Sequence, residues 1–341
     1  MTQTMESVRK PAPPSIVRLH VDNCTALGPV FEVTKSRWQE ALARHPVVAD
    51  KVRATFSRDG QGLDGPLADA DVLFCWDLDR KNLAKRAPKL RWVHIHGAGV
   101  SHVMPLDWLP HGATLTNSRG VHGERAAEYA IMAVLMLNNR LPEMATNQRA
   151  GRWEQLFNTA IAGKTLLIIG VGSVGSSVAR LAKYLGLHVI GVRRTGRPRR
   201  YVDEMHTPAH LHTLLPRADF VLVTAPQTRH TRHLIGSSEL DLLKPGAGLV
   251  NYSRAGLVDY KALQRKLERG EMSAILDVFD PEPLPADSPL WRTPNLVITP
   301  HSSSDDPDVY TPRTLDMILR NMERFLAGKP LLNRVSRRYQ Y

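Results

Sequence analysis

The chain has 341 residues, enough for two domains of ordinary size, and its 43% hydrophobic and 23% charged residues are typical of a globular protein in water. Its 45 Lys and Arg against 33 Asp and Glu give a net charge of +12, which favours anionic partners but does not choose among nucleotides, carboxylates, nucleic acid and membrane. The two cysteines, Cys24 and Cys75, show neither metal-ligand spacing nor a framework of pairs, so we predict no metal and no disulfide scaffold.

No apolar run is long enough to cross a membrane as a helix. The longest, residues 130–137, is far shorter than the ~20 residues that a membrane-spanning helix needs. Residues 1–14 lack the apolar core of a signal peptide, and we interpret them as a loose tail. Together with the cysteine usage, these features predict a cytoplasmic protein with no membrane partner.

Short β-rich runs alternate with helical patterns in the first third of the chain. The strand candidates are residues 15–21, 52–56, 71–76 and 90–96. Apolar residues at helical spacing over 31–46 separate the first two of them. Such alternation predicts parallel β-α-β units.

The longest helical pattern covers residues 122–151; it is broken at Pro142, ends at Gly151 and is expected to join two domains. A second series of strand candidates follows at 164–170, 188–192, 219–225, 247–253, 273–279 and 296–300. A last amphipathic helix is expected over 311–330, where Gly328 and Pro330 are stop signals. We therefore predict an α/β protein with two doubly wound parallel sheets.

A glycine-rich turn, Gly170-Val171-Gly172-Ser173-Val174-Gly175, lies between an apolar strand and a helix. In this pattern the first glycine permits a tight turn, the second lets backbone approach a pyrophosphate, and the third allows close helix–strand packing. The helix N-terminus adds unpaired N–H groups and a positive dipole. Because strand, turn, helix and next strand occur in the expected order, we predict dinucleotide binding, with an ordinary glycine turn as the alternative.

Arg193 and Arg194 follow the next strand, at the position where dinucleotide folds contact the adenosine ribose. An acid there would bind the 2′-OH of NAD, whereas arginine offers charge-assisted bonds to the 2′-phosphate of NADP. The first acid after these arginines is Asp203. The sequence thus predicts a preference for NADP(H), with NAD(H) as the alternative.

The arginine cluster continues with Arg197, a candidate helper, and with Arg199 and Arg200, which we interpret as surface charge. A nucleic-acid site is the competing interpretation of the cluster. It predicts an affinity that falls steeply with salt and ignores nucleotide cofactors. We favour the cofactor and expect no nucleic-acid partner.

Three ionisable residues follow later strands: Arg254, Glu282 and His301. Hydride transfer to a carbonyl leaves an alkoxide, which a histidine can protonate near neutral pH. A glutamate on the other ring nitrogen would hold the tautomer and favour the protonated ring, and an arginine can bind a carboxylate with two bonds. Singly, the three could be a surface ion pair, a loop charge and a helix cap. After a dinucleotide turn, they predict a catalytic set.

With these motifs the chain resembles the D-isomer-specific 2-hydroxyacid dehydrogenases from about residue 70 to residue 328, and most of all the NADPH-dependent glyoxylate/hydroxypyruvate reductases. The matching segments are 97–103, 114–135, 163–175, 223–235, 243–259, 276–285 and 298–301. The resemblance implies reduction of a small 2-oxo acid to the D-2-hydroxy acid, with hydride from the nicotinamide C4 and the proton from His301.

The resemblance also implies an architecture. It consists of two Rossmann-like domains with an active-site cleft between them. A discontinuous, flavodoxin-like substrate domain would comprise residues 1–117 plus 305–341, and a dinucleotide domain residues 118–304. Relatives of this kind are usually homodimers that pack through the long helical segment.

Residue roles follow from the same resemblance. Arg254 would bind the substrate, Glu282 would support His301 as the acid and base, and Asp277 would contact the nicotinamide amide. Backbone N–H groups of one loop would hold the substrate carboxylate: Ala98, Gly99 and Val100. Three residues would line the adenosine side: Thr224, Ala225 and Pro226.

Some positions depart from the family pattern. Ala255 stands where glycine is common after the arginine, and Ser101 where an acid or asparagine is usual. Ser302, Ser303 and Ser304, followed by two acids, replace the small apolar residues and glycine that often follow the histidine. Hydroxyls and acids near the expected cleft mouth indicate a changed choice of substrate, so the 2-oxo acid itself stays open.

Other functions share this scaffold. Corepressors of the same fold keep the three residues and sense a nucleotide, and phosphite oxidation is a further alternative. Formate dehydrogenase is disfavoured, since its histidine pairs with glutamine rather than with a glutamate such as Glu282. In some reductases a tryptophan from the partner subunit reaches the active site. Trp153 lies in the matching region, with a plain interface or core tryptophan as the alternative.

Overall fold

The computed structural model describes residues 15–341, so the expected loose tail at residues 1–14 lies outside the described residues. The described chain forms two compact units. Unit 1 comprises residues 15–121 with 306–341, and unit 2 comprises residues 122–305. The chain therefore passes from unit 1 to unit 2 once and returns once.

Unit 1 contains a parallel sheet in the order β2-β1-β3-β4-β5. Its strands are β1 (Val17–Asn23), β2 (Val52–Arg58), β3 (Val72–Cys75), β4 (Trp92–Ile95) and β5 (Thr114–Asn117). The helices between them are α1 (Lys35–Arg44), α2 (Pro46–Ala49), α3 (Asp64–Asp69) and α4 (Leu83–Arg86). Helix α1 begins later than the apolar pattern indicates because the hydroxyl of Thr34 accepts a bond from the Arg37 N–H and caps the first turn.

The long helical pattern at the start of unit 2 forms two helices, α5 (Gly123–Asn138) and α6 (Leu141–Arg149). The break falls at Arg140, which has a left-handed backbone with φ 54°. Pro142 lies in the first turn of α6, where a missing N–H costs nothing, so it starts the second helix rather than ending the first. The expectation that this segment joins two domains is wrong, because both helices belong to unit 2.

The rest of unit 2 is a parallel sheet in the order β12-β11-β10-β9-β6-β7-β8 with helices between the strands. The strands are β6 (Thr165–Ile169), β7 (His188–Val192), β8 (Glu204–His206), β9 (Phe220–Val223), β10 (Gly248–Asn251), β11 (Ser273–Leu276) and β12 (Leu296–Ile298). The helices are α7 (Ser173–Tyr184), α8 (Leu211–Leu214), α9 (Ser237–Asp241) and α10 (Tyr260–Glu268). The sequence did not indicate β8, since its three residues are only half-buried and two of them are polar.

Both faces of the unit 2 sheet are covered. Along β6, Leu166 and Ile168 pack into the layer that holds α5 and α7, whereas Leu167 and Ile169 pack into the layer that holds α10. Successive strand residues point to opposite faces, so a strand buried on both sides is a continuous apolar run. The predicted fold class, two doubly wound parallel-sheet α/β domains, is confirmed.

The last helix, α11 (Tyr310–Leu326), belongs to unit 1. It buries four residues at helical spacing against the core of the β1 sheet: Leu315, Ile318, Leu319 and Met322. Its end at Leu326, followed by Gly328 with φ 65°, is slightly earlier than the pattern predicted. Within residues 15–341, none of the helices combines the length and the apolar character that crossing a membrane requires.

Candidate active site

The glycine turn between β6 and α7 has the geometry that its pattern requires. Gly170 has φ 112°, and a Cβ there would lie 2.3 Å from the Ala225 nitrogen. A Cβ on Gly175 would lie 2.7 Å from the Gly170 carbonyl oxygen. Both positions therefore exclude a side chain for reasons internal to the fold. At Gly172, the residue before α7, a Cβ would meet nothing within 4 Å, so the backbone there is open to a ligand.

The remaining residues of the turn divide between core and helix start. Val171 is buried in the layer beneath the turn. Ser173 and Val174 are the first residues of α7, where N–H groups lack partners within the helix and can bind an anion. These open backbone donors at a helix N-terminus fit the pyrophosphate of a dinucleotide.

The segment after β9 lies beside the turn. The Thr224 hydroxyl donates to the Gly170 carbonyl at 2.7 Å, and the Thr224 N–H donates to Ile169 at 2.9 Å. Ala225 is buried and Pro226 is exposed. The structure thus brings the three residues expected at the adenosine side next to the glycine turn.

Arg193 follows β7 directly, and its N–H donates to the His206 carbonyl at 3.0 Å. Its side chain is half-buried, whereas Arg194 is exposed. Arg199 and Arg200 are also exposed, and the Arg200 guanidinium lies 4.6 Å from the centroid of the neighbouring tyrosine ring. The cluster therefore separates into a pair at the end of β7 and a pair further out on the loop.

The two acids that follow the arginines are held in other interactions. The Asp203 carboxylate accepts bonds from Lys183 at 2.8 Å and from the Val189 N–H at 2.8 Å. Glu204 pairs with Arg217 and also binds two histidines, and these donors lower its pKa to about 2. Of these charged residues, only the arginines therefore lie directly after β7, where a cofactor ribose is expected.

His301 and Glu282 form a hydrogen-bonded pair. The His301 Nδ1 lies 2.6 Å from the Glu282 Oε2, and the other carboxylate oxygen accepts from the Phe279 N–H at 2.7 Å. A carboxylate only accepts, so Nδ1 is the protonated nitrogen of this bond. His301 has a left-handed backbone with φ 50°, and its side chain is 39% exposed. The pair thus has a fixed tautomer and remains accessible.

Arg254 follows β10 and has an extended backbone with φ −151° and ψ 144°. Its Nη1 donates to the Ser253 carbonyl at 2.6 Å, and its own carbonyl accepts from Asn251 at 3.0 Å. Ala255 begins a 3-10 turn and does not have a left-handed backbone. Alanine in place of the usual glycine therefore introduces no backbone strain beside Arg254.

Asp277 follows β11 and is fully buried. One carboxylate oxygen accepts from the Thr299 hydroxyl at 2.6 Å and from the Ser302 N–H at 3.1 Å, and the other accepts from the Ser303 N–H at 3.2 Å. Asp277 therefore holds the segment that carries His301. The nicotinamide contact expected for it stays a prediction.

Tyr129 is a residue of this site that the sequence did not reveal. Its hydroxyl lies 2.7 Å from the Thr299 hydroxyl, which gives its own proton to Asp277, so Tyr129 donates. Burial raises the pKa of Tyr129 to about 12. A tyrosine within an apolar helical pattern gives no signal that distinguishes such a role from core packing.

The loop expected to hold the substrate carboxylate lies in unit 1, after β4. The Ala98 carbonyl accepts from the Asn117 side chain at 2.6 Å, and Val100 is buried. Gly97 precedes them, and a Cβ there would lie 2.9 Å from the Trp76 indole. The loop, with Gly99 half-buried, is thus held in place within unit 1. Its role toward a substrate stays a prediction.

Trp153 is 94% exposed in unit 2. A core position for this tryptophan is therefore excluded. Other large apolar side chains are also exposed on α5, α6 and the loop after them: Met132, Leu141, Met144 and Phe157. Unit 2 thus presents an apolar surface next to Trp153.

A glycine turn that opens a helix, followed on the same sheet edge by a histidine–glutamate pair, is typical of nicotinamide-dependent oxidoreductases. Comparisons with known proteins support this class. Residues 131–303 match the model of the D-isomer specific 2-hydroxyacid dehydrogenase NAD-binding domain. A glyoxylate reductase of Korarchaeum cryptofilum is 33% identical over 76% of this chain and 80% of its own length.

Solved structures agree with the sequence relatives. A D-isomer specific 2-hydroxyacid dehydrogenase of Xanthobacter autotrophicus, in complex with NADPH and MES, has a TM-score of 0.82 at 29% identity and covers 96% of this chain and 100% of its own. The NADPH-dependent glyoxylate/hydroxypyruvate reductase of Sinorhizobium meliloti, with NADP and sulfate, has a TM-score of 0.79 at 25% identity, covering 95% and 100%. The chain belongs to the D-isomer specific 2-hydroxyacid dehydrogenase family and is an NAD(P)-dependent oxidoreductase.

Proposed function

We propose that the protein reduces a small 2-oxo acid of the glyoxylate or hydroxypyruvate type to the D-2-hydroxy acid, with NADPH as the preferred reductant. The observation that carries this proposal is the 2.6 Å bond between His301 and Glu282, which orients an accessible imidazole with a protonated Nδ1. Relatives named glyoxylate reductase support the substrate class.

Different residues would bind the substrate and supply the proton in this reaction. The nicotinamide, when bound, supplies a hydride from C4 to the 2-oxo carbon. The developing alkoxide then needs a proton, which the protonated His301 ring gives from Nε2 while Glu282 stabilises the cationic ring before transfer. Arg254 binds the substrate carboxylate and polarises the carbonyl.

The cofactor preference is supported by charge. Arg193 and Arg194 stand at the end of β7, and Asp203 and Glu204 are already bound to other residues. A 2′-phosphate would therefore meet guanidinium groups rather than a carboxylate at this position. The open space at Gly172 supports the binding of a dinucleotide pyrophosphate at the glycine turn.

We also propose that the protein is a homodimer in the cytoplasm and that α5, α6 and the Trp153 loop form its interface. The support is the exposed apolar surface, in which Trp153 is 94% and Phe157 81% exposed. Apolar patches of this kind on a monomer mark interaction sites. Light scattering at micromolar concentration tests this interface. A wild-type mass of twice the monomer, together with a monomer mass for the double variant Trp153→Glu with Phe157→Glu, supports it.

The decisive experiment for the activity is a panel of 2-oxo acids assayed with NADPH and NADH, together with His301→Asn. Asparagine tolerates a left-handed backbone and can keep a donor toward Glu282, but it cannot give the proton of Nε2. We expect kcat to fall about 100- to 10,000-fold while the NADPH dissociation constant changes by less than about twofold.

A matched control is available in His233, which is exposed and has nearly the same φ, 49°. His233→Asn makes the same change on the same backbone and should leave kcat near that of wild type. If His301→Asn retains wild-type turnover, or if no 2-oxo acid in the panel is reduced, the proposed function is wrong.

A further inference from the structure

The segment that carries His301 is held on both sides of that residue. Before it, the Thr299 hydroxyl is bound between Tyr129 and Asp277, as described above. After it, the Ser302 and Ser303 N–H groups bind the Asp277 carboxylate at 3.1 and 3.2 Å. The residues that follow, Ser304 and Asp305, contact a different group.

That group is the imidazole of His122. Its Nδ1 lies 3.3 Å from the Ser304 carbonyl oxygen and 3.4 Å from the Asp305 carboxylate. A carbonyl oxygen only accepts, so Nδ1 carries a proton and donates it to Ser304, with the Asp305 carboxylate within ion-pair distance of the same nitrogen. The His122 side chain is only 12% exposed, and that of Asp305 is 32% exposed. This contact is therefore largely shielded from water.

The geometry of α5 explains why both sides are held. His122 directly precedes α5 and Tyr129 lies two turns further along it. Residues seven positions apart lie on one face of a helix. One helix thus holds Thr299 through Tyr129 and Ser304 with Asp305 through His122.

Charged groups surround this contact. Burial is the main cause that lowers the pKa of His122; Arg254 and His301 add to this effect, and Asp305 opposes it. Burial is also the main cause that raises the pKa of Asp305; Asp277 adds to this effect, and it is opposed by His122, His301 and Arg254. Asp305 is one of the two acids that depart from the usual family sequence after the histidine.

We propose that His122 and Asp305 are positioning residues for His301, because they clamp residues 301–305 to the start of α5. The proposal rests on the proposed function in taking His301 as the proton donor. The clamp also joins the two points at which the chain passes between the units, at 121/122 and 305/306.

The first test needs no substrate. Hydrogen exchange of the peptide spanning residues 299–306 is followed by mass spectrometry in wild type, His122→Leu and His122→Asn. Leucine removes the donor, whereas asparagine can place an amide N–H near the position of Nδ1. We expect exchange to rise by at least about fivefold in His122→Leu and to stay near wild type in His122→Asn, because local opening follows the loss of buried bonds.

The second test uses the reduction of the best 2-oxo acid. We expect His122→Leu to lower kcat by roughly tenfold with little change in the NADPH KM, since small displacements of a catalytic group are costly. His122→Asn should keep most of the wild-type kcat. Asp305→Asn removes the carboxylate that contacts His122, so it should raise the exchange of the same peptide and lower kcat in the same direction as His122→Leu.

Asp308→Asn is the matched control, because it removes the same charge from an exposed residue of the same segment. It should change neither exchange nor kcat. Unchanged exchange in His122→Leu overturns the clamp whether or not the enzyme reduces a 2-oxo acid. Faster exchange with unchanged kcat overturns the positioning role. If wild type reduces no 2-oxo acid, the proposed function fails while the exchange result still decides the clamp.

Discussion

Replacing Arg193 and Arg194 together with alanine should weaken NADPH binding far more than NADH binding. Arg193 and Arg194 directly follow β7. The first acids after them, Asp203 and Glu204, are bound to other basic residues. A hydrogen bond to a charged group contributes about 1.5–3 kcal/mol. Arg193 is half-buried and Arg194 exposed, so the lower end applies to each. The sum is about 3 kcal/mol, or roughly 100-fold in the NADPH dissociation constant.

The assay is a fluorescence titration of each cofactor at an ionic strength of about 0.15 M, where exposed charges are largely screened beyond ~8 Å. The control is Arg199→Ala with Arg200→Ala, which removes the same charge from the exposed part of the same loop. The control should change NADPH binding by less than about threefold. Equal losses for NADPH and NADH, or equal losses in the two double variants, would refute the assignment of a phosphate site to the end of β7.

Three further changes have distinct expected outcomes. Glu282→Gln keeps an acceptor for His301 but removes the charge that stabilises the cationic ring, so kcat for reduction should fall by roughly tenfold or more; an unchanged kcat contradicts this role. Gly175→Ala puts a Cβ 2.7 Å from the Gly170 carbonyl and should lower stability by about 1–3 kcal/mol in denaturant unfolding, with weaker binding of both cofactors. The pKa of Glu204 lies near 2, below its ordinary value of 4.5, so its contribution to stability is complete above about pH 5 and is lost as pH falls toward 2. Unfolding midpoints of Glu204→Gln should therefore depend less on pH over this range than those of wild type, and parallel curves would contradict that.

Much of the fold could be predicted because the signals are local. Apart from β8, the strands of unit 2 are largely apolar runs, since both faces of the sheet are covered, and their observed positions fall within the predicted runs. The glycine turn was also predictable, because Gly170 and Gly175 are required by contacts within one strand–turn–helix unit. The sequence predicts a helix break at Pro142, but the break lies at Arg140. A proline in the first turn of a helix gives the same sequence pattern as a proline that ends one, so the two cases cannot be told apart locally.

The candidate site was only partly predictable. His301 and Glu282 could be singled out by residue type and motif, and they form a direct hydrogen bond. The roles of Tyr129 and His122 could not, because their partners Thr299 and Asp305 lie far along the chain. Such bonds exist only after α5 has packed on the sheet, and no local pattern encodes them.

By itself, the sequence determined most of the strands and the long helices, the dinucleotide turn and the family, because each depends on neighbouring residues and their spacing. The tertiary structure alone decided that Asp203 and Glu204 are bound away from the arginine pair and that α5 holds the segment around His301. Hydrogen bonds and charge pairs depend on ångström distances between remote residues, and those distances are set by packing rather than by sequence spacing.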